Sequence, residues 1–162
     1  MNKLSFNINY ESYDHLGDLS EDDQALCILA EKALQNSYSP YSNFKVATAV
    51  KISNGKVVSG SNQENIAYPS GLCAERVALF TVGATYPEVV IESMVITAHT
   101  DNFKIEQPVT CCGACLQVMA EFERKQDREI EVMFYCLGGK IVKVKGMKSL
   151  LPFGFVEDRL MV

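Results

Sequence analysis

The order of elements predicts an α/β layered domain built on a mixed sheet of about five strands. Three observations carry that expectation. Between Ser20 and Asn36 apolar residues recur at helical spacing. From Phe44 to Ile52 the period changes to two, and Ser53-Asn54-Gly55-Lys56 then signals a hairpin. Beyond the hairpin the order is helix, strand, helix and two further strands.

Each element has a local reason. The first 19 residues show no clear period and read as an N-terminal extension that drapes over the domain or frays. Residues 20–162 are expected to form one domain, an ordinary size for a single core. Ser20 followed by Glu21, Asp22 and Asp23 is a helix start, and Leu26, Leu29, Ala30, Ala33 and Leu34 continue it. Tyr38 to Asn43 reads as a loop. Phe44, Val46, Thr48, Val50 and Ile52 share one face of a strand, which returns through Val57 and Val58. A helix is expected from Cys73 to about Gly83, and Val89 to Ala98 reads as a buried strand. Cys112 to Arg124 gives a second helix at the next thiol cluster. Ile130 to Tyr135 and Ile141 to Val144 flank a Gly138-Gly139 turn, and a short helix from Met147 to Leu151 stops at Pro152.

Composition narrows the function. Apolar residues make up 48% and charged residues 22%, and no run reaches the ~20 apolar residues of a membrane span. A formal charge of −5 argues against nucleic acid, whose binders carry a basic footprint. The lysines at 140, 143, 145 and 148 read as a solvated edge strand and turn. The N-terminal sequence lacks the pattern of a secretory signal. With six cysteines, that places the chain in a reducing, cytoplasmic setting where thiols bind metal rather than form bridges.

Cys73-Ala74-Glu75-Arg76 and Cys112-Gly113-Ala114-Cys115 carry the chemistry. Structural zinc sites close with four protein ligands, whereas catalytic ones leave a position open. Three thiols at Cys73, Cys112 and Cys115 suit Zn²⁺ with one position free for water. Both clusters fall at expected helix starts, where free N–H groups and the helix dipole stabilise thiolates. Glu75 is too close to Cys73 to ligate comfortably and is placed to move protons. Three thiolates leave the metal site at about −1, and Arg76 could offset that by hydrogen bonding to the sulfurs. Other readings are a redox pair at Cys112 and Cys115, or Cys111 as a fourth ligand that would make the zinc structural. Cys27 and Cys136 read as small buried hydrophobes.

These motifs resemble those of the zinc nucleoside deaminases. Tyr38 to Val46, Asn62 to Asn65, Gly71 to Arg76, Gln117 to Phe122, and Leu150 to Pro152 with Phe155 extend the resemblance to the small cytidine deaminases, in order over about residues 20–156. The resemblance implies a three-layer α/β/α sandwich and hydrolytic deamination of cytidine and 2′-deoxycytidine in pyrimidine salvage. It also implies that Asn62 and Glu64 hold the ribose hydroxyls and that Phe44 lines the nucleoside pocket. Phe155 would stack on the base from a neighbouring subunit, so a homotetramer with shared sites is implied. Two positions depart from the family pattern: Cys111 stands where proline is usual, and Leu116 where arginine is usual. A same-chemistry deaminase of a modified nucleoside or nucleoside antibiotic, and a non-catalytic zinc-stabilised nucleoside-binding protein, are the competing functions.

Overall fold

Strand β1 (Tyr10–Tyr13) opens the structure, followed by helix α1 (Glu21–Ala33), strands β2 (Lys45–Ile52) and β3 (Val57–Ser61), and helix α2 (Ala74–Thr85). Strand β4 (Ile91–His99), helix α3 (Gly113–Gln126), strands β5 (Glu131–Cys136) and β6 (Ile141–Lys145) and the short helix α4 (Met147–Leu150) complete it. The computed structural model describes residues 1–160; the last two residues of the expected domain, 161–162, lie outside the described residues. Local chemistry sets the boundaries. The Ser20 side chain accepts the Asp23 N–H at the start of α1, where Glu21, Asp22 and Asp23 face the positive end of the helix dipole. In the β2–β3 hairpin Gly55 sits at φ +81°, a conformation that costs glycine little.

The strands form one sheet in the order β1-β6-β5-β4-β2-β3. It has six strands where the sequence predicts about five, and the extra one comes from the N-terminal extension. Tyr10 pairs with Val144 and Tyr13 with Ile141, so part of the segment expected to drape or fray is an edge strand.

Side chains alternate between two cores, as the period of a strand requires. Val50, Met94, Ile96, Val132, Phe134 and Val144 face α2 and α3. Ala49, Val95, Met133, Tyr135 and Ile141 face α1. The result is the three-layer α/β/α sandwich. Lys143 ties the α1 layer to the sheet through Asp23 at 2.9 Å and Glu131 at 2.8 Å.

One feature of the topology positions the site. Strands β4 and β5 pair in parallel, and β3 runs the same way as β4 because both are antiparallel to β2. Parallel neighbours need crossover connections. Helix α2 provides the one from β3 to β4, and α3 the one from β4 to β5. Both lie on one face and both follow strands that run the same way, so both begin at the same edge of that face, beyond the carboxyl ends of the strands, where ligands bind in open α/β folds.

Gly60 on β3 allows α2 to lie close to the sheet. A Cβ at this position would stand 2.5 Å from the Ala74 carbonyl oxygen and 2.6 Å from the Ala78 nitrogen, both backbone atoms of α2. Gly60→Ala is therefore expected to cost roughly 1–3 kcal/mol in urea unfolding. It should also lower activity more than stability alone explains, because it pushes the first turn of α2 away from its neighbours.

Candidate active site

Cys73 is the N-cap of α2, and Cys112 is the N-cap of α3. Cys115 lies one turn further along α3 and is buried. Neither side chain makes a capping hydrogen bond with a backbone N–H of its own helix, which leaves both sulfurs free to serve a metal at the positive ends of the two helix dipoles. The three Sγ atoms lie within 4.8 Å of one another. Cys73 and Cys112 are 3.9 Å apart, and Cys112 and Cys115 are 3.4 Å apart. Tetrahedral Zn²⁺ with ligand bonds of about 2.3 Å needs sulfurs about 3.8 Å apart. Both measured separations lie within about 0.4 Å of that value, and the third exceeds it by no more than about 1 Å, so the donor set fits Zn²⁺.

Proton placement within the cluster is uneven. Proximity to Cys115, helped by the Arg76 guanidinium, holds the Cys73 thiol well below its ordinary value. The same proximity to Cys73, with burial, pushes the Cys115 thiol up. Arg76 Nη2 donates to Cys73 Sγ at 3.8 Å, and its Nε is buried with no hydrogen-bond partner among the described residues. A fixed cation thus faces a site that three thiolates and a divalent ion would leave at about −1.

Glu75 follows in the first turn of α2 and is only 4% exposed. Burial raises its carboxyl above the usual carboxylate range, because the charged form has lost its water. Cys111 stands outside the three-sulfur cluster, so it does not close the site as a fourth ligand. Burial first, then the nearby Glu75 carboxylate, pushes its thiol pKa up.

Cys73, Glu75, Arg76 and Cys112 line a cavity of about 670 Å³. The same cavity is lined by Asn62 and Glu64. Most of their bonding capacity is already committed. Asn62 Oδ1 accepts from Val46 N–H and the Ser37 hydroxyl, and Nδ2 donates to the Phe44 carbonyl at 2.9 Å. Glu64 accepts from Tyr41 N–H at 2.9 Å, and from both the N–H and the hydroxyl of Ser42. One amide N–H on Asn62 and about one carboxylate lone pair on Glu64 remain, which together match a hydroxyl. The hydroxyl bond from Ser42 is the main reason the Glu64 carboxyl lies below its ordinary range.

Two other expected residues lie elsewhere. The Phe44 ring stacks on Phe103 at 6.2 Å, and Val46 rather than Phe44 is among the residues lining the cavity. Phe155 is 71% exposed and lies outside the cavity of its own chain. The amide of Gln117 holds the Phe155 main chain through two hydrogen bonds of 2.8 and 2.9 Å. The sequence reading missed Ser42 and Tyr41 as the clamp on Glu64. A serine in a loop that must pack against a lone carboxylate was the available signal. In the sequence Gln117 stands out only as part of a motif; its clamp on Phe155 spans a separation no local pattern covers.

The arrangement matches a known family. Residues 20–128 match the profile of the cytidine and deoxycytidylate deaminase zinc-binding region. The chain belongs to that family. It is 41% identical over 137 residues to a cytidine deaminase of Halalkalibacterium halodurans, covering 85% of this chain and 96% of the relative. A cytidine deaminase of Sporosarcina psychrophila is 38% identical over 139 residues, covering 86% and 95%. The crystal structure of the cytidine deaminase from Burkholderia pseudomallei superposes with a TM-score of 0.70 at 34% identity, covering 85% of this chain and all of that one. The family's zinc-binding character agrees with the cluster of Cys73, Cys112 and Cys115.

In a chelator competition with purified protein, replacing any of these three cysteines by alanine is expected to abolish zinc retention. Arg76→Ala, which leaves every ligand in place, should weaken it by about 10–100-fold.

Proposed function

We propose that the protein catalyses the hydrolytic deamination of cytidine and 2′-deoxycytidine to uridine and 2′-deoxyuridine, with release of ammonia, as a step of pyrimidine salvage. The observation that carries the reading is a buried carboxylate, Glu75, beside a three-thiol metal site in a cavity that Asn62 and Glu64 also line. Held by Cys73, Cys112 and Cys115, Zn²⁺ supplies a Lewis acid that lowers the pKa of water next to C4 of the base. In this reading Glu75 accepts one proton of the attacking water and passes it to N3, then takes the second from the new C4 hydroxyl and gives it to the amino group, which leaves as ammonia. Its raised pKa suits that exchange, since a carboxyl that holds its proton more tightly is a better acceptor from water. Cys111, packed beside it, would help exclude water from the carboxylate between transfers. Arg76 would offset the charge of the thiolates, and Cys73 and Cys112 would hold their places through the ends of α2 and α3.

Asn62 and Glu64 would hold the sugar through the N–H and lone pair left to them. Among the described residues Arg76 is the one basic residue lining the cavity, and its guanidinium is engaged with Cys73. A 5′-phosphate would therefore meet the Glu64 carboxylate without a paired cation, which favours a free nucleoside. Phe155, exposed and held in place by Gln117, is available to a neighbouring chain. That supports a homotetramer in which each cavity is completed by the Phe155 of another copy. No helix among the described residues is long and apolar enough to cross a membrane, in keeping with a cytoplasmic enzyme.

An ultraviolet assay of cytidine loss tests the reading. Glu75→Ala is expected to lower kcat by at least about 10³-fold while zinc content stays unchanged; turnover at the wild-type rate would overturn the mechanism. Deoxycytidine should exceed its 5′-monophosphate in kcat/KM by at least about 100-fold. Comparable values would place the chain with the nucleotide deaminases of its family.

A further inference from the structure

The N-terminal arm lies outside the region that matches the family profile, which begins at residue 20. Its sequence alternates strictly: Leu4, Phe6, Ile8 and Tyr10 are apolar, whereas Ser5, Asn7 and Asn9 are polar. All four apolar side chains stand in solvent, Leu4 at 95%, Phe6 at 48%, Ile8 at 49% and Tyr10 at 64% exposure. The arm runs directly into β1, the outermost strand of the sheet, whose second edge has no partner among the described residues. Proteins usually protect such an edge with charge, proline or a bulge. Between Leu4 and Tyr10 this one carries neither charge nor proline.

We propose that this arm pairs with the same arm of a second copy of the chain, antiparallel about a twofold axis at Asn7. Two features of the sequence select that register. Centring on Asn7 places Leu4 opposite Tyr10 and Phe6 opposite Ile8, so every apolar residue falls on one face and every polar one on the other. It also places Lys3 opposite Glu11 at both ends, the only two charges of the segment. Moving the axis to Phe6 or Ile8 keeps the faces but loses both ion pairs, and moving it between residues mixes the faces. An arm that complements itself in this way needs only another copy, which is the requirement of a twofold interface. The overlap of residues 3–11 is about 30 Å long. A free two-stranded ribbon of that length would be marginal. Here each strand continues one already hydrogen bonded to β6, so part of the ordering cost is met before association. The contact is independent of the catalytic reading and distinct from the proposed sharing of Phe155.

Cross-linking and charge exchange on the full-length, zinc-loaded protein test this proposal. Asn7→Cys places two thiols face to face across the axis, whereas Ser5→Cys places them about 13 Å apart. Treatment with a short bifunctional thiol reagent should give covalent dimers of Asn7→Cys in large excess over both Ser5→Cys and the wild type. In sedimentation equilibrium, Lys3→Glu or Glu11→Lys should weaken the arm-dependent association by about tenfold, because each sets like charges opposite at both ends. The double exchange Lys3→Glu/Glu11→Lys should restore it. Equal cross-linking of the two cysteine variants, an unchanged association of Lys3→Glu, or failure of the double exchange to recover would overturn the proposal. The cross-link reads the contact whether it lies within a tetramer or joins two of them.

Discussion

Two crossover helices that begin at the same edge of one sheet face are the constraint on which this site depends. The chain leaving β3 and the chain leaving β4 travel in the same direction, and each must cross the sheet to enter its next strand. Neither can start elsewhere without breaking the parallel order. Cys73 and Cys112 are therefore brought together by topology before any side-chain preference acts. The close approach of α2 to β3 over Gly60 then sets the height of the first turn above the sheet, and with it the depth of Glu75.

The chemistry sits in the part of the fold that costs most to form. A nearly buried carboxylate, three clustered sulfurs and an arginine with an unpaired Nε are each unfavourable in isolation. What offsets them lies elsewhere. The central strands bury side chains on both faces, and the two cores hold α1 on one side and α2 and α3 on the other. A rigid sheet can carry a poorly solvated carboxylate whose raised pKa suits it to proton transfer. The same rigidity fixes Arg76 near the sulfurs without its being a ligand.

Much of this was legible locally. The Ser20 cap, the Asn54-Gly55 turn and the two thiol-led helices depend on residues a few positions apart, and each formed within a residue or two of its expected place. The edge strand β1 was not read, because its hydrogen-bonding partner β6 lies near the other end of the chain. The alternation from Leu4 to Tyr10 runs up to its first residue but is too short and too exposed to read as a period against the rest of the extension. Phe44 shows a different limit. Its aromatic partner, Phe103, lies in an irregular loop with no period to reveal it.

By itself the sequence determined the residue types and their spacing: the thiols at the helix starts, the carboxylate two positions beyond the first, and the order of strands and helices. Those properties are written in neighbouring residues. The tertiary structure decided which side chains converge and how much bonding capacity each still has. It left Cys111 outside the sulfur cluster and turned toward Glu75, and it committed most of the Asn62 amide to the main chain around β2. The physical reason is that a polar group's remaining valence depends on every partner that folding brings to it, and most of those partners come from distant segments.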